Sequence, residues 1–128
     1  MINQTTLTIG GKERNLLFSS LGILEYIQEQ SGKDPFEWLT DLQKRSGVQE
    51  DGKPSDVLGA VKGIRLIIYG AINCYLDSKD EERIPFDKIN KWCTSLGEKQ
   101  YAEVFTSFIS AIYNKPEAGE AEAPVTGA

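Results

Sequence analysis

The sequence contains no histidine, a single methionine and only two cysteines in 128 residues. Without histidine the commonest general base is missing, and with it the Ser-His-Asp and Cys-His arrangements and most zinc sites. The cysteines, Cys74 and Cys93, stand alone within apolar helical patterns rather than in a C-x-x-C array, so they read as buried thiols of a reducing compartment. A surplus of positive charge is also missing. Fourteen Lys and Arg face nineteen Asp and Glu, a formal net charge of -5, which speaks against a nucleic-acid partner because phosphate contacts need concentrated cations. No long hydrophobic run occurs either: Ile64 to Leu76 is interrupted by Arg65 and falls short of the roughly 20 apolar residues that cross a bilayer. The opening "MINQTTLTIG" lacks the basic start and apolar segment of a secretion signal. The chain is therefore expected to be soluble and intracellular, with no membrane partner.

Motifs for small-molecule chemistry are equally scarce. Gly10-Gly11-Lys12 lacks the spacing of a phosphate loop. The acidic residues Asp77, Asp80, Glu81, Glu82 and Asp87 lack the alternation of a calcium loop and read as a solvated linker. No catalytic residue, cofactor or metal site is expected, and the chain reads as a non-enzyme.

What is present is a sequence of elements. With 40% hydrophobic and 26% charged residues, a chain of this length buries about two thirds of its unfolded surface, enough for one core. Gly10-Gly11 between β-favouring residues marks a hairpin over 5–18. Side-chain parity favours a loop of two or four residues, which places Leu7 and Ile9 on one face with Leu16 and Phe18. That greasy face must lie on helices, since an isolated two-stranded ribbon is marginal in water.

Five helices follow, at about 20–31, 35–45, 56–77, 86–96 and 98–114. Ser20 caps the first, whose stripe is Leu21, Leu24, Ile27 and Gln28, and Ser31-Gly32 stops it. Asp34-Pro35-Phe36-Glu37 starts the second with a capping carboxylate and a proline at the first helical position, presenting Phe36, Trp38, Leu39 and Leu42. "SGVQEDGKPS" is a loop, and Ser55 caps the third helix.

The third helix has a main stripe of Val57, Val61, Ile64, Ile68, Ala71, Ile72 and Tyr75 and a second apolar side of Ala60, Gly63, Ile67, Gly70 and Cys74. A helix apolar on two sides is a central one, and its glycines let neighbours come close. The fourth presents Phe86, Ile89, Trp92, Cys93 and Leu96; the fifth presents Tyr101, Val104, Phe105, Phe108, Ile109 and Ile112. The fold class is thus mostly α with an N-terminal β-hairpin, a small α+β domain over 1–114 built around the long helix. Residues 115–128, an acidic tail with two prolines, are expected to be disordered.

The order "LTIGGKERNLLFSSLGILEYIQEQSGKDPFEWL", a loop, a long apolar helix, then "IPFDKINKWCTSLGEKQYAEVFTSFISAIYN" resembles the tail assembly chaperones of long-tailed, siphovirus-type phages and prophages. The resemblance covers about residues 7 to 114. It is carried by the G-K-E hairpin, the Asp34-Pro35 helix start and the F-x-x-I-x-x-W helix of Phe86, Ile89 and Trp92 before an aromatic-rich last helix.

The resemblance implies a protein of the host cytoplasm that is absent from the mature virion. It implies binding to the tape measure protein, whose long helical segments are kept soluble, and recruitment of tail tube protein. Many members also have a longer, frameshifted product. Trp38 and Trp92 are candidates for partial core burial or for protein contact, and with Ile67 and Cys74 on the second side of the long helix they form the candidate surface for a client or for self-association. The alternative role is a structural head-tail connector or tail completion protein, which mature particles would retain.

Overall fold

The computed structural model describes residues 4–45 and 56–113. Strands β1 (Gln4–Ile9) and β2 (Lys12–Leu17) pair antiparallel with Ile9 opposite Lys12. The loop is therefore two residues long. Gly10 and Gly11 both take positive φ, 65° and 84°, the condition of the primed turn whose twist matches the strands. Leu7, Ile9, Leu16 and Phe18 are all buried, as parity requires.

Helix α1 (Ser20–Ser31) begins one residue after Ser19, which occupies the cap position without a side-chain hydrogen bond. Ser20 is thus the first helical residue and not its cap. The stop lies where expected: Gly32 is left-handed, and its N–H donates to the Gln28 carbonyl at 2.8 Å. The buried stripe is Ile23, Leu24, Tyr26 and Ile27, while Leu21 points to solvent.

Helix α2 (Pro35–Arg45) carries the cap that its sequence announces, the Glu37 N–H donating to Asp34 Oδ2 at 3.0 Å. Trp38, Leu39 and Leu42 are buried; Phe36 is not. The loop expected over 46–55, including Ser55, lies outside the described residues. The residues that flank it meet: the Asp56 N–H donates to the Arg45 carbonyl, and the Arg45 guanidinium lies 2.8 Å from Asp56 Oδ2. The cap of helix α3 (Val57–Ser78) is Asp56, whose Oδ1 accepts from the Gly59 N–H at 3.0 Å.

Helix α3 is central, with β2, α1, α2, α4 (Phe86–Trp92) and α5 (Glu98–Tyr113) all against it. Every residue from Ile67 to Cys74 is buried. Both apolar sides are therefore used, although Val57 at its start is exposed and Val61 and Tyr75 are half-buried. Taken as a whole, α3 is long and apolar enough to span a bilayer, unlike the shorter run seen in the sequence. Most of it is buried among the other elements.

Gly70 allows the tightest approach. A Cβ there would stand 3.1 Å from Ile23 Cγ2 and 3.2 Å from the Ile23 Cα, so α1 crosses α3 at backbone distance. α4 is shorter than its pattern suggested, giving way at Cys93–Ser95 to a 3-10 turn. At the start of α5, Gln100 Oε1 accepts the Gly97 N–H at 2.9 Å, the reciprocal half of a capping box. Among the described residues α5 ends at Tyr113, and the tail expected to be disordered lies beyond them.

Candidate functional site

The four residues expected to offer contact surface occupy different places. Trp38 is buried with its ring edge-on to Phe108, centroids 6.5 Å apart. Ile67 is fully buried in the middle of α3. Cys74 is buried where α1 crosses, so close that a Cβ on Gly22 would lie 2.8 Å from its sulfur. In this fold these three are core residues, and the helix that seemed to have an apolar side to spare has none.

Trp92 alone is half-exposed. Its indole lies against the hairpin turn, where a Cβ on Gly10 would come within 2.6 Å of it. The Arg14 guanidinium covers the ring at 3.9 Å, and the Lys88 ammonium stands 5.6 Å away. Arg14 Nε also donates to the Ile9 carbonyl at 3.0 Å, while burial lowers its pKa from the ordinary value. The tryptophan therefore clamps the hairpin to α4 of the same chain.

Both cysteines are unpaired and buried. Burial pushes each thiol up to about 11, with the Asp77 and Glu25 carboxylates adding to the effect at Cys74. Such thiols are poor nucleophiles at neutral pH because little thiolate forms. Among the described residues no group of three or more Cys, Asp or Glu side chains is placed to hold a metal ion.

Asp80, Glu81, Glu82 and Asp87 are exposed, as a solvated linker requires, while Asp77 at the end of α3 gains partners. Asp77 accepts from the Tyr26 hydroxyl and from Arg83 Nε at 3.1 Å, and the Arg83 guanidinium lies 4.9 Å from the Tyr26 ring. Burial, then the Asp77 hydrogen bond, raises the Tyr26 pKa strongly. Beneath it, Asn73 is fully buried. Its amide donates to the Tyr69 carbonyl at 2.9 Å and the Ile84 carbonyl at 3.0 Å, and accepts from the Ile84 N–H at 2.7 Å. One side chain thus supplies the link with a two-way backbone pairing.

Among the described residues the exposed large apolar side chains are Leu21, Phe36 and Leu58, at 73%, 68% and 73% exposure, with Val57 at 48%. Leu21, Phe36 and Leu58 are each the second residue of α1, α2 and α3. Helical side chains lean toward the N-terminus, so at the first turn they project past the end of the helix instead of onto a neighbour. That position is the signal that the periodic stripe conceals. The three points are spread over the molecule: Gly22 of α1 packs at Cys74, sixteen residues and roughly 24 Å along α3 from Leu58.

Open hollows lie between elements among the described residues. One of about 560 Å³ separates β1 from α5, lined by Thr5, Thr6 and Leu7 on one wall and Ala102, Val104 and Ser107 on the other. A second, about 500 Å³, lies over the Tyr26, Asp77 and Arg83 cluster. A third, about 190 Å³, sits between α2 and α3 beside Trp38 and Leu42, and a further one of about 230 Å³ lies between Gln4, Thr5 and Phe18 and the Thr106 to Ser110 stretch of α5. None gathers the groups of an acid–base or nucleophilic centre, whereas the first runs beside an open strand edge. No family model, curated protein or solved structure matches the chain.

Proposed function

We propose that this chain is a tail assembly chaperone of a long-tailed phage or prophage. It binds the tape measure protein in the host cytoplasm, keeps that protein soluble, helps recruit tail tube subunits, and is left out of the mature virion. The sequence resemblance over about residues 7 to 114 supports this reading. So does the chemistry of the surface. A client of long helical segments is recognised by apolar contact, and the exposure of Leu21, Phe36 and Leu58 at three helix starts is the observation that carries the proposal.

Separated apolar points suit a holding role. They give several weak contacts along a client while avoiding one large patch, which would drive the free chaperone to aggregate. The net charge of -5 then keeps the loaded complex dispersed. The contact residues differ from those expected of the sequence: Trp38, Ile67 and Cys74 hold the core, and Trp92 holds the hairpin.

The test is a triple substitution, Leu21→Ser, Phe36→Ser and Leu58→Ser, co-expressed with a phage tape measure protein. All three side chains are exposed, so circular dichroism and the unfolding midpoint should stay near those of the parent. The soluble client fraction should fall. Equal client solubility with parent and variant would remove these residues from the interface. Stoichiometric presence of the chain in purified virions would instead favour the connector role.

A further inference from the structure

We infer that the outer edge of β1 is a self-association edge, at which two copies of this chain pair β1 against β1 antiparallel and join two ribbons into a four-stranded sheet.

The sheet has two strands, and β2 is the one that packs along α3. β1 therefore ends the sheet. With a two-residue turn closed by Ile9 and Lys12, the hydrogen-bonded pairs alternate along the ladder. The N–H and C=O groups of Gln4, Thr6 and Thr8 consequently point away from β2. Among the described residues nothing caps this edge. It opens onto the hollow of about 560 Å³ whose opposite wall on α5 carries the small side chains Ala102, Thr106 and Ser107.

Natural edge strands are guarded by lysine, proline or a bulge. β1, with the sequence QTTLTI, has no charge, no proline and an unbroken register, whereas β2 carries Lys12, Glu13 and Arg14. The missing guard falls on the strand whose edge is open.

Three arguments select a second copy as the occupant. A helix already uses its backbone groups internally and cannot pair with Gln4, Thr6 and Thr8, whereas a strand can. Two chains of net charge -5 repel, yet this edge is neutral, and the charged groups of the hollow, Lys99 and Glu103, have opposite signs. Finally, β1 of another copy is already extended, so it loses less conformational entropy on pairing than a disordered peptide does. Pairing centred on Thr6 sets Thr6 against the partner's Thr6 and Gln4 against the partner's Thr8, with no like charges opposed. Four strands also relieve the weakness of a lone ribbon.

Sedimentation velocity of the full chain over a concentration series tests this, with Thr6→Lys and Thr6→Pro as variants. Lysine places two ammonium groups face to face at the two-fold, and proline deletes the outward N–H; neither touches a bond to β2. The parent should show a concentration-dependent dimer. Each variant should weaken it by at least about tenfold, T6P through two lost symmetric ladder bonds and T6K through two like charges directly opposed. Amide exchange at Thr6 and Thr8 should slow only in the dimer. A parent that stays monomeric throughout, or a folded T6K that dimerises as tightly as the parent, overturns the inference. Should T6P unfold by circular dichroism, T6K decides alone.

Discussion

Asn73 is the residue on which most of the polar interior depends. Its three hydrogen bonds hold the link before α4 through Ile84, and at full burial water cannot replace them. Substitution by alanine or leucine leaves the Ile84 N–H and carbonyl without their partner, each a desolvation cost of about 1–3 kcal/mol. Asn73→Leu should therefore lower the unfolding free energy by about 3 kcal/mol in urea titrations. A loss near zero would show that the link is held by other means. The thiols give a pH dependence with a definite sign. An unfolded cysteine ionises from about pH 9, the folded ones only near 11, so between these values the unfolded state releases protons first and gains stability. Unfolding midpoints should fall as pH rises from 9 toward 11, and the fall should be shallower in Cys74→Ala. Thiol labelling at pH 8 should be slow in the native protein and fast in denaturant.

Among the elements, the crossing of α1 over α3 offers the sharpest test. Gly70→Ala gains about 1 kcal/mol of helix propensity but sets its methyl against the Cα and carbonyl oxygen of Ile23, at 3.2 and 3.3 Å. Backbone cannot swing aside, so overpacking of about 1–3 kcal/mol should win and Tm should drop. Gly63→Ala meets only the tip of Leu42, at 2.6 Å from Cδ1, and a rotamer change there makes the substitution milder. The contrast between the two shows what the sequence could convey. Local chemistry was legible: the turn at Gly10-Gly11, the Asp34-Pro35 start and the Gly32 stop each act within a few residues. So was the central place of α3, because two apolar sides need cover on both. The outward placement of Leu21, Phe36 and Val57 was not, since periodicity assigns a face to the first turn where no neighbour packs. The cap at Asp56 in place of Ser55 is a local bond to the Gly59 N–H, though Asp56 also meets Arg45, and the early end of α4 comes where the Tyr101 hydroxyl donates to the Cys93 carbonyl.

For the whole molecule, the candidate surface was the least legible part. Trp38 and Trp92 were marked by residue type, which does not distinguish a ring that fills the core from one that meets a partner. Trp92 turned inward because Gly10 leaves room for it and Arg14 covers it, a meeting of hairpin and α4 that spacing cannot show. Asn73 was hidden for the same reason, since its partner Ile84 lies across the link. What remains outward is a set of separated apolar helix starts and one unguarded strand edge on an acidic body. Such a surface suits binding other chains. The measurement that bears on this most directly is affinity purification of the chain co-expressed with a phage tape measure protein, followed by light scattering of the eluate. A soluble complex of defined mass, with the tape measure protein insoluble when expressed alone, is the expected result. A client that precipitates equally with and without the chain, leaving the chain to elute by itself, would contradict it.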